Sequence, residues 1–396
     1  MTRKELHNKI GELMYIEDFG MVDIILASIV ANSLKIGNPV WLTLIGPSSG
    51  GKSQLIKPLA SAHPEMITQV DDLTSNTLLS GSLGLDGSML GRIGEHGIIS
   101  MDDLTVIFSK NNEAQAEILG QFRMLYGGRF AKSSGSKKEE IVWEGYLGMI
   151  TGSTPSIYKH FGEVADMGER FVSYRMKDYD RKKASLFVRN NPMPSHELDE
   201  KICAIFKEYL QEALPAVGAM TDLQLPEEIK DQIQETSEVT TWLRTPVHIN
   251  ERSGQVDEFP IIEMPFRVMK QLNSIGVAMF AMERMENPNC TELPQDLAKT
   301  LDWCGYSLAN DKRRAYLKYM VALYDKNGVI TTDDISLHSG MPKETVKTGM
   351  QQLEALKIVY AAPGGTWGLS DPDITELVRR LDPVEELTAV KTEDAF

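Results

Sequence analysis

Nine consecutive residues, Ile45-Gly46-Pro47-Ser48-Ser49-Gly50-Gly51-Lys52-Ser53, carry the strongest chemical signal in the chain. They follow the apolar run Val40 to Leu44 and precede a helical stretch from Gln54 to Ala60. That strand, loop and helix setting is what the G-x-x-x-x-G-K-[ST] spacing requires. The glycines let the backbone curl so that successive N–H groups point inward at phosphate oxygens, with the positive end of the following helix behind them. Lys52 can reach the β- and γ-phosphates, and the Ser53 hydroxyl can hold Mg²⁺. Four fixed positions arise by chance in a chain this long with a probability on the order of 10⁻². The stretch is therefore read as a nucleotide site rather than a glycine-rich turn.

Further along, Gly97-Ile98-Ile99-Ser100-Met101-Asp102-Asp103 reads as a buried strand ending in two acids. In a parallel sheet the carboxyl ends of neighbouring strands converge on the ligand. Asp102 is then placed to hold the Mg²⁺ shell through water, and Asp103 to polarise the attacking water. The alternative is two exposed acids in a turn. Tyr146 to Ile150 is another apolar strand, followed by Thr151-Gly152-Ser153-Thr154-Pro155. A hydroxyl there would lie between the two earlier strand ends, or the set simply ends a strand, since Thr, Ser and Pro also mark turns. Residues 129 to 143 form two β-like arms around a Ser/Gly turn, a hairpin pattern whose tip carries Lys132, Lys137 and Lys138. Three lysines on an acidic chain suit a phosphate backbone; a solvated charged loop is the competing reading. At Gly168-Glu169-Arg170-Phe171, Arg170 is either a structural ion-pair partner or an arginine supplied to a neighbouring subunit's phosphoryl group.

In this order, the phosphate loop, the double-acid strand, the lysine-tipped hairpin, the Thr-terminated strand and the Gly-Glu-Arg-Phe segment resemble the AAA+ ATPases. The pattern is most similar to the hairpin-bearing branch that contains the MCM helicases and the MCM-like ATPases of phages and mobile elements. The resemblance covers residues 20 to 180 and implies an α/β fold, a P-loop three-layer αβα core with a helical lid. It implies ATP and Mg²⁺ as cofactors and a homo-oligomeric ring, a hexamer, acting on DNA. Lys52 and Ser53 match the Walker A lysine and hydroxyl, Gly46, Pro47, Ser48, Ser49, Gly50 and Gly51 the loop, and Asp102 the Walker B aspartate. Asp103 stands where the family has a catalytic glutamate, so its shorter side chain bears on hydrolysis rate. Thr154 takes the place of the sensor-1 asparagine, with Thr151 the second choice. Arg170 resembles the arginine finger, and Arg267 resembles sensor 2 in the lid or is a surface arginine. Lys132, Lys137 and Lys138 would be the pore hairpin gripping a single strand. The function so implied is an ATP-driven DNA helicase or translocase in phage or mobile-element replication. The rival is a nucleotide-switched helicase loader that docks a replication protein. An AAA+ transcription activator ranks third, because the chain lacks the Gly-Ala-Phe-Thr-Gly-Ala loop of that branch.

The elements that must position these residues need a sizeable core, and 396 residues suffice for two domains. A net charge of −15 excludes wholesale coating of nucleic acid, so any such contact is local. Three widely spaced cysteines exclude a disulfide framework and a cysteine zinc site. No run approaches the ~18 apolar residues of a membrane span, and a cytoplasmic protein is expected. The patterns set an ATPase core over residues 1–190, led in by a short helical segment with Val22, Ile25, Leu26, Ile29, Val30 and Leu34 on one face. A helical lid with an insertion is expected over 191–310, a winged helix over 311–370 and an acidic, solvated tail over 371–396 with a short helical stretch near Ile374 to Leu381. In the winged helix, Lys343 and Lys347 lead the helix that would enter a groove. Eight basic against six acidic residues over 311–357 leave +2, weak for a DNA reader, so DNA and protein both stay open as its partner.

Overall fold

The computed structural model describes residues 1–80, 84–133, 140–160, 170–250, 256, 259–328 and 330–384. The chain divides into two compact units, Met1–Ile229 with Lys270–Cys304, and Lys230–Met269 with Gly305–Phe396. The segment expected to be the lid, 191–310, is thus shared between the two.

The first unit is built on seven strands among the described residues: β1 (Trp41–Ile45), β2 (Ile67–Gln69), β3 (His96–Met101), β4 (Arg129–Ser133), β5 (Glu140–Glu144), β6 (Tyr146–Ser153) and β7 (Phe171–Arg175). Five of them form one sheet in the order β2-β3-β6-β1-β7, with every pairing parallel. Strands β1, β3 and β6 are buried along almost their whole length because helices cover the sheet, as an all-parallel sheet demands. The unit is α/β and compatible with a three-layer αβα core. Helix Lys52–Ala62 packs on β2, β3 and β6, and helix Gly20–Ser33 packs on β1, β3 and β6. An amide clip fixes the latter to the sheet: Asn32 Nδ2 donates to the Val40 carbonyl at 3.0 Å, and the Val40 N–H donates to Asn32 Oδ1 at 2.9 Å.

Helix Gly20–Ser33 corrects one expectation. It is not one-sided, because Gly20 to Asn32 are all buried. Helix Ser195–Gly218 lies against it, and against Lys52–Ala62 and Arg3–Leu13, and so covers the side a lone amphipathic helix would leave to solvent. Its buried Asp23 is answered by Arg3 at 3.0 Å and His7 at 2.7 Å. A second correction concerns β6, which runs on to Ser153, so Thr151 is a buried strand residue rather than part of a turn. Strands β4 and β5 make an antiparallel hairpin from Arg129↔Glu144 to Ser133↔Glu140. The Trp143 indole N–H anchors it to the Gly94 carbonyl at 2.7 Å.

In the second unit, helices Asp311–Asn327, Thr332–Ser339 and Lys343–Ala355 accompany a three-stranded sheet of β8 (Ile330–Thr331), β9 (Val359–Ala362) and β10 (Thr366–Leu369), in the antiparallel order β8-β10-β9. Gly328 and Gly340, with φ of +73° and +69°, end the first two helices in the left-handed conformation that glycine adopts without steric cost. Helix Pro372–Leu381 corrects the expectation of a solvated tail. Ile374, Leu377 and Val378 are buried, and the helix packs on Asp311–Asn327. Lys318 holds Asp382 at 2.8 Å. Residues 385–396 lie outside the described residues.

Candidate functional site

The sheet order brings the sequence signals to one edge. β6 lies between β1 and β3, with Ile45 opposite Ser153 and Met101 opposite Thr151. Past the strand ends the pairing continues: the Gly46 N–H donates to the Ser153 carbonyl at 3.2 Å and the Leu104 N–H to the Gly152 carbonyl at 2.8 Å. The glycine-rich loop, the two acids and Thr154 therefore sit at the carboxyl ends of three adjacent strands.

The loop's own conformation follows from its residues. Gly51 has φ +93°, a region closed to most side chains, and heads helix Lys52–Ala62 without any side-chain capping bond. A Cβ at Gly50 would stand 3.0 Å from the Pro47 carbonyl oxygen and 3.2 Å from the Met176 methyl. Lys52 is only 7 % exposed, and its Nζ donates to the Gly46 and Pro47 carbonyls at 2.8 and 2.7 Å. Burial pushes its pKa down, and the charge of Asp103 pulls it back up. An ammonium held by two neutral carbonyls would bind an anion more strongly than its present partners. An uncapped helix N-terminus, a curled loop, a buried ammonium and the Ser53 hydroxyl together fit a triphosphate with a divalent ion.

The two acids are held differently. Asp103 Oδ1 accepts from the Thr105 N–H at 2.9 Å and from its hydroxyl at 2.7 Å. Asp102 Oδ2 pairs with Lys57 at 3.1 Å, while Gln69 Nε2 stands 3.5 Å from Oδ1 and is itself steadied by the Ser100 hydroxyl at 3.0 Å. The Thr154 hydroxyl bonds the Ser156 hydroxyl at 2.6 Å.

Other expected site residues lie elsewhere. Arg170 precedes β7 at the edge opposite the loop, since Phe171 is in register with Trp41 and Arg175 with Ile45. Five residue steps put it roughly 16 Å from the loop edge. Its guanidinium lies over the Tyr126 ring at 5.7 Å and its carbonyl accepts from Gln271 at 2.6 Å. Arg267 belongs to the second unit and is half-buried. Lys132 Nζ donates to Asn76 Oδ1 at 2.9 Å; Lys137 and Lys138 fall outside the described residues. Lys343 pairs with Asp333 at 2.7 Å, and Lys347 is exposed.

Sequence reasoning missed the chain's other contributions to the loop edge. The Met176 N–H donates to the Ile45 carbonyl at 2.8 Å. A small cavity beside Gly50 has a mixed wall, apolar and aromatic at Tyr15, Met176 and Tyr179 and charged at Glu17, Asp18 and Lys177. Asp18 ties this wall to β7 by accepting from the Tyr174 hydroxyl at 2.9 Å, and burial together with the Asp18 charge drives that phenol's pKa well up. Buried Arg175 stacks over Tyr158 at 4.2 Å. Met176 and Tyr179 stand more than a hundred residues from the loop, and no spacing rule joins them to it.

Compared with protein-family models and with curated proteins, the sequence matches none.

Proposed function

We propose that the first unit is an AAA+ ATPase core that binds and hydrolyses ATP, and that copies of the chain assemble into a ring acting on DNA. One observation carries this reading: the glycine-rich loop, Asp102 with Asp103, and Thr154 stand together at the carboxyl edge of one parallel sheet. Lys52, the loop amides and Ser53 would hold the triphosphate, and Ser53 with Asp102 the Mg²⁺, which supplies charge neutralisation on the phosphate oxygens. Asp103 would accept the proton of the attacking water and Thr154 would orient that water. Arg170 stands too far from its own loop to serve it and would complete a neighbour's site, leaving Tyr126 to do so. Lys132, with Lys137 and Lys138, would touch the nucleic acid, and the second unit would be a winged helix.

The test is steady-state ATP hydrolysis with and without single-stranded DNA. A motor hydrolyses faster on DNA. A chain that binds ATP but turns over slowly and equally in both conditions is the nucleotide-switched loader. That second reading is favoured by the short acid Asp103, whose carboxylate already serves Thr105.

A further inference from the structure

Helix Lys52–Ala62 carries Ser53 and, one turn on, Lys57, so the two side chains share a face. Oδ2 of Asp102, the carboxylate that would serve the metal with Ser53, meets Lys57 Nζ at 3.1 Å. Lys57 is also within the field of Asp199, on helix Ser195–Gly218, and of Asp71 after β2. Asp199 is partly desolvated there, which raises its pKa, and Lys57 is the largest opposing influence.

We propose that Lys57 is a latch on Asp102: its ammonium occupies the carboxylate that Mg²⁺ needs, and metal–nucleotide binding displaces it. The latch rests on the nucleotide reading above and adds a regulatory position to that site. Lys57 is a positioning residue, acting only through Asp102. A half-exposed ion pair is weak enough for a divalent ion to displace.

The experiment titrates Mg²⁺ against full-length protein at a fixed concentration of a fluorescent ATP analogue, with analogue binding in EDTA as the reference. Lys57→Met keeps the stem and removes the charge, so half-saturating Mg²⁺ falls about two- to fivefold, with the EDTA affinity unchanged. Lys57→Arg restores the wild-type requirement. Wild type and Lys57→Met with the same Mg²⁺ requirement would overturn the latch and leave the nucleotide site standing. A folded wild type that binds no nucleotide would overturn both.

Discussion

Asp103 has two partners with different demands, and substitutions separate them. Its carboxylate holds Thr105 by two bonds, while its charge reaches Lys52. Asp103→Asn keeps an acceptor for Thr105 and removes the base, so hydrolysis falls about 10²-fold or more while urea unfolding stays put. Asp103→Ala also loses both bonds to Thr105 and unfolds about 1 kcal/mol more easily. Equal hydrolysis by Asp103→Asn and wild type would remove Asp103 from the chemistry. Cys304 gives a pH signature of the fold itself. Burial pushes its thiol from 9.0 up to about 12, so the folded chain keeps a proton that the unfolded chain loses. That contribution is intact below pH 9 and is lost as pH rises from 9 toward 12, with a slope of up to about 1.4 kcal/mol per pH unit. Cys304→Ala flattens this part of the stability curve, which chemical denaturation at stepped pH reads directly.

At the level of elements, legibility follows where the physics is local. The phosphate loop was readable because Gly51 needs a left-handed φ and Lys52 and Ser53 follow at fixed spacing. Strand β3 was readable as an apolar run ending in acids. Helix Glu227–Arg244 was not, because much of its buried face is hydroxyl: Thr236, Ser237, Thr240 and Thr241 are buried, and Thr240 Oγ1 satisfies itself on the Gly305 carbonyl at 3.0 Å. A pattern count scores those residues as polar. Helix Pro372–Leu381 was legible as a short helical stretch but its packing was not, because Asp371, Asp373, Glu376 and Asp382 mask a stripe of Ile374, Leu377 and Val378. Leu377→Ala there costs about 2–5 kcal/mol in the second unit's unfolding, against near zero for a solvated tail. In Lys132→Ala/Lys137→Ala/Lys138→Ala, hydrolysis with DNA drops to the level without DNA, and the salt dependence of DNA affinity becomes shallower. Full stimulation in that variant would assign the DNA contact elsewhere.

For the whole molecule, a net charge of −15 would restrict any DNA contact to a few cationic points. The geometry of β7 sets the larger constraint. Its two ends carry Arg170 and Arg175, and only the Arg175 end lies at the loop edge. An arginine at the far edge contributes to phosphoryl transfer only across a head-to-tail contact, the kind that closes into a ring. The most direct measurement mixes two inactive proteins, Lys52→Ala and Arg170→Ala, and follows ATP hydrolysis. If sites are shared, the intact loop of one meets the intact arginine of the other, and random mixing restores roughly a quarter of the sites. A mixture that co-assembles yet stays as inactive as its parts, or an Arg170→Ala protein that hydrolyses like wild type, would contradict the shared site.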